Sequence, residues 1–405
     1  MDVGTAKVAV VIGERTAEGV ALRGTGFVPL QGGLKRGVVV DLQATASAIQ
    51  NAIGEAELGA GCQVHSALVT VGGDHIRSFE SHGAAPVRGD EVGAADVQRV
   101  LDQARAIALP ADYQIVQVLL RDFVLDGQEG IQHPLGMSGQ RLEARIHVLA
   151  GRTASVQNVA RACRLANIQP VEIVWSAWAA AEAVLSHEEK ELGVAVLDLG
   201  AGTTNFLVYH AGSLRFAGAL GIGAHHVTRD IAAGLETSLN EAESLKRKWG
   251  VASPERVEEE EKIEVPVVGS GAPRLVERRY LAHIIQARLE ELIELAWKRI
   301  QASGFCPLLR CGLVLTGGGS SLPGTRELAS RVTRQPVRCG SVVFCSDEES
   351  GEPPSQSLSP SFAAALGLVR TACEQRAPAR AELRSFGLAS RVRERLRNFV
   401  GALFE

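Results

Sequence analysis

The chain has 405 residues, 46% of them hydrophobic and 22% charged, with a formal net charge of −4. That length holds two or more domains' worth of core, and the slight acidity argues against broad electrostatic binding of nucleic acid, so no nucleic-acid partner is expected. Seven cysteines without a C-x-x-C pair argue against a zinc ribbon or a disulfide framework. No apolar run approaches the ~18 residues of a spanning helix, and the start carries no signal-peptide pattern, which suits a soluble or surface-attached protein.

In chain order, short β-branched runs predict strands over 7–12, 20–27, 66–71, 114–120, 145–149, 171–174, 194–199, 205–209 and 312–316. Apolar spacings of three and four predict helices over 42–56, 94–107, 155–165, 176–185, 227–233, 240–248, 280–303 and 325–332. The alternation implies a mixed α/β sheet system. Three stretches read as irregular: the acidic 253–261, the proline-punctuated 347–360, and 372–385, taken as a linker.

Two acidic-x-Gly turns recur about two hundred residues apart. Asp2-Val3-Gly4-Thr5 precedes the first long strand, and Asp198-Leu199-Gly200-Ala201-Gly202-Thr203-Thr204 sits between two others. A duplicated unit with one turn per half would set them opposite each other across a cleft. Bare glycine turns let amides approach an anion closely, threonines add hydroxyl donors, and Asp198 suits a hydrated Mg²⁺; an ordinary glycine hairpin would read the same way. The first turn arrives before any strand could lead into it, which, if Met1 is the true start, predicts a weakened wall on that side. A third bare stretch, Gly317-Gly318-Gly319-Ser320, joins a strand to a helix, and no Rossmann or P-loop fingerprint occurs. Glu243 and Lys246 share one helix face, and alone they read as a surface ion pair.

Taken in order, D-x-G-T, D-L-G-A-G-T-T, A-E-x-x-K and T-G-G-G-S-S-L-P-G resemble the nucleotide-site signatures of the actin/Hsp70/sugar-kinase superfamily, and within it the bacterial cell-division FtsA family. Residues 113–139, with Asp126-Gly127-Gln128-Glu129-Gly130-Ile131 and Pro134-Leu135-Gly136-Met137-Ser138-Gly139, look like that family's inserted subdomain. The resemblance implies an α/β, actin-like (ribonuclease-H-like) two-lobed ATPase fold. It divides the chain into 1–72 with 152–190 and 359–373 (subdomain 1A), 73–151 (the insert, 1C), 191–230 with 300–358 (2A), 231–299 (2B), and a linker and tail over 374–405. It implies ATP with Mg²⁺, the phosphates lying between Gly4, Thr5, Ala6, Lys7 and Gly200, Ala201, Gly202, Thr203, Thr204. Asp2 and Asp198 would hold Mg²⁺ through water, Gly317, Gly318, Gly319 and Ser320 would meet the nucleoside, and Glu243 and Lys246 would lie near base and ribose.

Where the superfamily often has a Glu or Gln to orient the attacking water, this sequence has Ser176, a poorer water-positioner and a negligible base at neutral pH. At most a slow ATPase is expected. The resemblance further implies FtsZ, later division proteins and other copies of the chain as partners, at the cytoplasmic membrane face of the division site. Rival readings are an actin-like pilus-assembly protein and a sugar or acetate kinase, the latter lacking a convincing acceptor carboxylate.

The tail 385–405 places Leu388, Val392, Leu396, Phe399, Val400 and Leu403 on one helical face, with Phe386 ahead of it and Arg391 and Arg395 off it. Four arginines there outweigh two glutamates. Such a helix suits insertion into an anionic membrane surface, each Arg contributing ~1 kcal/mol.

Overall fold

The computed structural model describes residues 1–16, 20–266, 273–343 and 357–375. Its first sheet starts from the antiparallel strands Asp2–Val3, Lys7–Arg15 and Val20–Pro29. The Met1 amine donates to Leu68 O at 2.9 Å and Thr70 N–H donates to Met1 O at 3.0 Å. Those two bonds, reaching residues i and i+2 of the neighbour, are the pattern of a parallel pair. They join Asp2–Val3 to Ser66–Val71, which pairs in parallel with Gln169–Trp175.

The second sheet repeats this plan with strands in the order Ser213–Leu220, Thr204–His210, Val194–Leu199, Leu313–Thr316, Val337–Cys339. Its pairings run antiparallel, antiparallel, parallel, parallel, as in the first. The two lobes therefore share one strand plan, and each carries its acidic-Gly turn between the central strand and the first antiparallel neighbour.

The glycines of Val20–Pro29 explain how the first lobe closes. A Cβ at Gly24 would stand 2.2 Å from Ala56 O, and one at Gly26 only 1.8 Å from Ala52 O, so the helix Leu42–Ala60 lies directly on bare strand. That helix buries Ala46, Ile49, Ala52, Ile53 and Ala56 and starts under Asp41, whose side chain accepts from Ala44 N–H. The helices Ser176–Val184 and Ala363–Gln375 pack on each other, crossing where a Cβ at Gly367 would meet Ala179 O at 1.7 Å.

The stretch between Val71 and Thr153 forms a separate antiparallel sheet, Arg77–Pro86, Arg141–Arg152, Tyr113–Leu125, Gln128–Ile131, under the helix Ala94–Arg105. Its core holds Val97, Val100, Leu101, Phe123, Leu142 and Ile146. Its strands also pack against Ser213–Leu220, the edge of the second sheet. The second lobe adds the helices Ala224–Gly234 and Leu239–Trp249, the hairpin Lys262–Val265/Arg274–Glu277 and the long helix Arg278–Ala302.

Three expectations need correcting. The first glycine turn does have a leading strand: Asp2–Val3 is short but buried, and gripped on both edges. The helix Ala363–Gln375 runs into the presumed linker at 372, and Ser357–Leu358, placed in a loop, pairs as a strand with Val342–Val343. Several elements carried too weak a periodicity to be foreseen, among them Arg77–Pro86, Ser213–Leu220 and the hairpin of Lys262–Val265 with Arg274–Glu277. The amphipathic tail, from Phe386 to Leu403, lies outside the described residues; among those described, no helix is long and apolar enough to cross a membrane.

Candidate functional site

A cleft of about 470 Å³ opens between the lobes, within the ~300–1,000 Å³ common to ligand sites. Its first wall is the turn Gly4–Ala6, closed by Gly4 N–H donating to Lys7 O at 2.9 Å. Its second wall is the turn Gly200–Thr203. Ala224 and His225 N–H donate to the carbonyls of Gly200 and Ala201 at 2.9 and 2.8 Å, and this seats the turn on the helix Ala224–Gly234. Gly223 makes that seat possible, since a Cβ there would lie 2.6 Å from Gly200 O. Across the cleft the turns meet: a Cβ at Gly202 would stand 2.5 Å from Thr5 Oγ1.

The third glycine stretch closes one end. Gly317 has φ +80°, and a Cβ on it would come within 2.3 Å of Asp198 Oδ1, so glycine alone suits that place. Gly318 and Gly319 line the cleft, while Ser320 stands behind them, donating to Gly317 O at 2.7 Å and fixing the turn. Thr203 lines the cleft; Thr204 is fully buried in its strand and its hydroxyl does not reach the cavity. These two, Ser320 and Thr204, stand one layer behind the wall that the sequence suggested for them.

The two acidic residues have opposite electrostatics. Burial works against the charge on Asp2, but Lys7 and the hydrogen bonds from Lys7 and Thr70 prevail and hold its carboxyl below the usual range. Asp198 forms no ion pair among the described residues. Burial pushes it up to about 6, and the neighbouring charge of Asp2 adds to this against the opposing pull of Asn205, whose amide donates to Asp198 Oδ2 at 2.9 Å; Lys7 lowers it only weakly from a distance. Two carboxylates thus converge on one cleft, one of them short of positive charge. Among the described residues no three acidic, His or Cys side chains gather as a metal cage. A cation held here would keep most of its water, as Mg²⁺ does.

Glu243 and Lys246 form an enclosed pair at the cleft, not a surface one. Lys246 Nζ donates to Glu243 Oε2 at 2.6 Å and to Thr228 Oγ1 at 2.8 Å, and Arg247 Nε donates to Glu243 Oε1 at 2.9 Å. Burial lowers the Lys246 ammonium, partly offset by Glu243; burial works to raise the Glu243 carboxyl, but Lys246 together with the hydrogen bonds from Thr228 and Arg247 holds it below its usual range. Sequence reasoning missed Asn205, His225, Arg247 and Leu322, which also line the cleft. Asn205 was within reach, since it directly follows the second turn. The others depend on how the helices of the second lobe fold over the cavity. Ser176 does line the cleft, and a Cβ on Gly72 would stand 2.9 Å from its hydroxyl.

Two family models match the chain: one described as cell division protein FtsA over residues 195–367, the other as the SHS2 domain inserted in FtsA over residues 73–150. The cell division protein FtsA of Pseudomonas aeruginosa is 42% identical over 341 residues, 84% of this chain and 82% of that protein. FtsA of Bacillus subtilis is 33% identical over 92% of this chain and 82% of its own length; FtsA of Escherichia coli K12 is also 33% identical, over 85% and 83%. Among solved structures, a PilM–PilN type IV pilus biogenesis complex matches with a TM-score of 0.62 at 18% identity, covering 92% of this chain and 97% of that one. MreB5 of Spiroplasma citri bound to ADP matches with a TM-score of 0.52 at 13% identity, covering 91% and 94%. At such identity the likeness speaks for the fold alone: actin-like, two-lobed, with an inserted subdomain.

Proposed function

Since this chain belongs to the FtsA family of cell-division proteins, we propose that it is a nucleotide-gated scaffold that links FtsZ filaments to the cytoplasmic face of the cell membrane at the division site. ATP would lie in the interlobe cleft and set the angle between the lobes, and through it the contacts between copies of the chain in a polymer. The observation that carries this reading is the meeting of Gly202 with Thr5, two bare turns from two lobes facing each other across a cavity of nucleotide size.

Gly4, Thr5, Ala6 and Lys7 would bind phosphates from one side, and Gly200, Ala201, Gly202 and Thr203 from the other. Asp2 and Asp198 would hold Mg²⁺ through its water shell, and the ion would neutralise phosphate charge that the cleft leaves uncompensated. Gly317, Gly318 and Gly319 would lie against the nucleoside, with Glu243 and Lys246 near base and ribose. Ser176 faces the cavity where a general base would serve, and a serine hydroxyl does not act as one at neutral pH. Turnover is therefore slow or absent, and the chain acts through binding.

In this reading 1–72, 152–190 and 359–373 form subdomain 1A, 73–151 the insert, 191–230 with 300–358 subdomain 2A, and 231–299 subdomain 2B. The FtsZ tail would dock on 2B, where Leu239, Leu275 and Tyr280 stand 55%, 64% and 47% exposed. The tail 385–405 would insert into anionic membrane, and later division proteins would join the assembled polymer. Co-sedimentation with FtsZ polymers and with anionic vesicles, each with and without Mg·ATP, tests the reading. Pelleting with both, strengthened by nucleotide, is expected; pelleting with neither refutes it.

A further inference from the structure

Between the strand Val20–Pro29 and the helix Leu42–Ala60, the chain makes a minimal hairpin in which Leu34–Lys35 pairs antiparallel with Val38–Val39. Arg36 and Gly37 close it, and both are left-handed, with φ of +52° and +79°. A two-residue turn with both φ positive is the type that suits Asn-Gly, Asp-Gly or Gly-Gly, and a long L side chain at its first position is strained. An arginine placed there against local preference points to a use for its side chain.

The turn is wedged among the glycine turns of both lobes. Gly37 N–H donates to Thr5 Oγ1 at 3.0 Å, and a Cβ at Gly37 would lie 2.6 Å from the Gly72 carbonyl. On the other side, a Cβ at Gly202 would lie 3.1 Å from the Arg36 Cα. The backbone of Arg36 is thus held between Thr5 of the first lobe and Gly202 of the second. Its side chain is exposed, and it makes no hydrogen bond or ion pair among the described residues. The cations lining the cleft are otherwise engaged: Lys7 by Asp2, Lys246 and Arg247 by Glu243. Burial first, and then Arg229, Arg288 and Arg36, hold the His226 imidazole below its ordinary value, so the charge of Arg36 is felt on the second lobe.

Building on the nucleotide reading above, we propose that Arg36 recognises the terminal phosphate of a nucleoside triphosphate bound between the two turns, and so distinguishes triphosphate from diphosphate. A planar guanidinium with five N–H donors matches a terminal phosphoryl group, which has three free oxygens and the most charge. A diphosphate ends one phosphoryl group short of it. Because the hairpin is bonded to Thr5 and touches Gly202, occupancy of Arg36 would also draw the lobes together, and its release would let them part.

The test uses the full chain with Mg²⁺, carrying Arg36→Ala, Arg36→Asn or Arg36→Lys, with affinities for ATP and ADP measured by competition against a fluorescent nucleotide. Arg36→Ala and Arg36→Asn should lose ATP affinity by about tenfold or more, the scale of a charge-assisted contact, and leave ADP affinity in place. Arg36→Lys should keep part of the ATP preference, since it retains the charge without the fork. Arg36→Asn suits the turn and should melt no lower than wild type without nucleotide, which separates phosphate recognition from folding. Equal losses for ATP and ADP, or an unchanged ATP affinity, overturn the proposal. Should the wild-type chain bind neither nucleotide, the nucleotide reading itself falls, and the role of Arg36 with it.

Discussion

Replacing Asp198 by Asn should make the nucleotide-free protein more stable while impairing its response to Mg·ATP. Asp198 is pushed from 3.8 up to about 6 by burial and by the charge of Asp2. A carboxyl raised in this way adds stability that is complete below about pH 4 and is lost as pH rises through about 6. At pH 7.5 the folded protein therefore bears an ionised group it would sooner have neutral. The shift is about two pKa units, and at 1.36 kcal/mol per unit the penalty is at most about 3 kcal/mol, reduced by whatever water screens from the cleft. Asn is isosteric and its carbonyl can still accept from the Asn205 amide, so the substitution removes the charge and little else. In thermal unfolding without nucleotide, Asp198→Asn should melt a few degrees above wild type at pH 7.5; the advantage should fall to about half at pH 5, where the wild-type carboxyl is protonated in the fold but still ionised when unfolded, and vanish below about pH 4. Added Mg·ATP should raise the melting temperature of wild type and much less that of the variant. A variant that melts below wild type at pH 7.5, or whose advantage does not shrink as pH falls from 7.5 towards about 4, refutes the electrostatic reasoning.

Asp2→Asn should act in the opposite direction, because it leaves Lys7 enclosed without its counter-charge. Loss of one partner of a buried pair costs about 3–5 kcal/mol, and thermal unfolding at pH 7.5 should show a clear drop. The same pairing makes the contribution of Asp2 present above the ordinary carboxylate range and lost as pH falls through its depressed value, so the gap between wild type and Asp2→Asn should close in acid. Deleting 385–405 should release the protein from anionic vesicles in a flotation assay while ATP affinity stays as it was. Tyr280→Ala with Leu275→Asp should abolish co-sedimentation with FtsZ polymers and leave vesicle and nucleotide binding intact, since both side chains are exposed and distant in sequence from the cleft walls.

The glycine turns were legible because close backbone approach leaves no chemical alternative: at Gly202 and Gly317 an added Cβ would collide. For the same reason the order of the turns along the chain was enough to imply two lobes about a cleft. Side chains one step from the turns were less legible. Thr204 follows Thr203 directly, yet strand alternation turns it into the core, and Ser320 braces Gly317 from behind. Glu243 and Lys246 at helical spacing carry the same signature whether they face solvent or a cavity. Only the packing of the helices Ala224–Gly234 and Leu239–Trp249 decides that they are enclosed. The short strand Asp2–Val3 escaped notice because two residues have no periodicity. Its register is set by bonds to Leu68 and Thr70, far along the chain.

Both lobes share one sheet plan and one acidic turn, and the two turns differ in what their carboxylates meet. Asp2 is locked by Lys7 and Thr70, so its charge is constant across the physiological range and serves as much to hold Asp2–Val3 in the sheet as to face a ligand. Asp198 forms no ion pair among the described residues, and burial makes its charge costly until a cation arrives. Binding of a hydrated cation with its phosphates would relieve that cost in the second lobe and change little in the first. It follows that the energy of occupancy falls mainly on the Gly200–Thr203 turn and on the helix Ala224–Gly234 to which that turn is bonded. That helix packs on Leu239–Trp249 and on the long helix Arg278–Ala302, where Leu239 and Tyr280 stand exposed. If a nucleotide binds at Asp198 as proposed, its effect would have a short and physically continuous route to the exposed Leu239 and Tyr280 of the second lobe. A double-mutant cycle between Asp198→Asn and Tyr280→Ala on FtsZ binding would measure it: non-additive losses in the presence of Mg·ATP and additive ones in its absence are expected, and additivity in both conditions would refute the coupling.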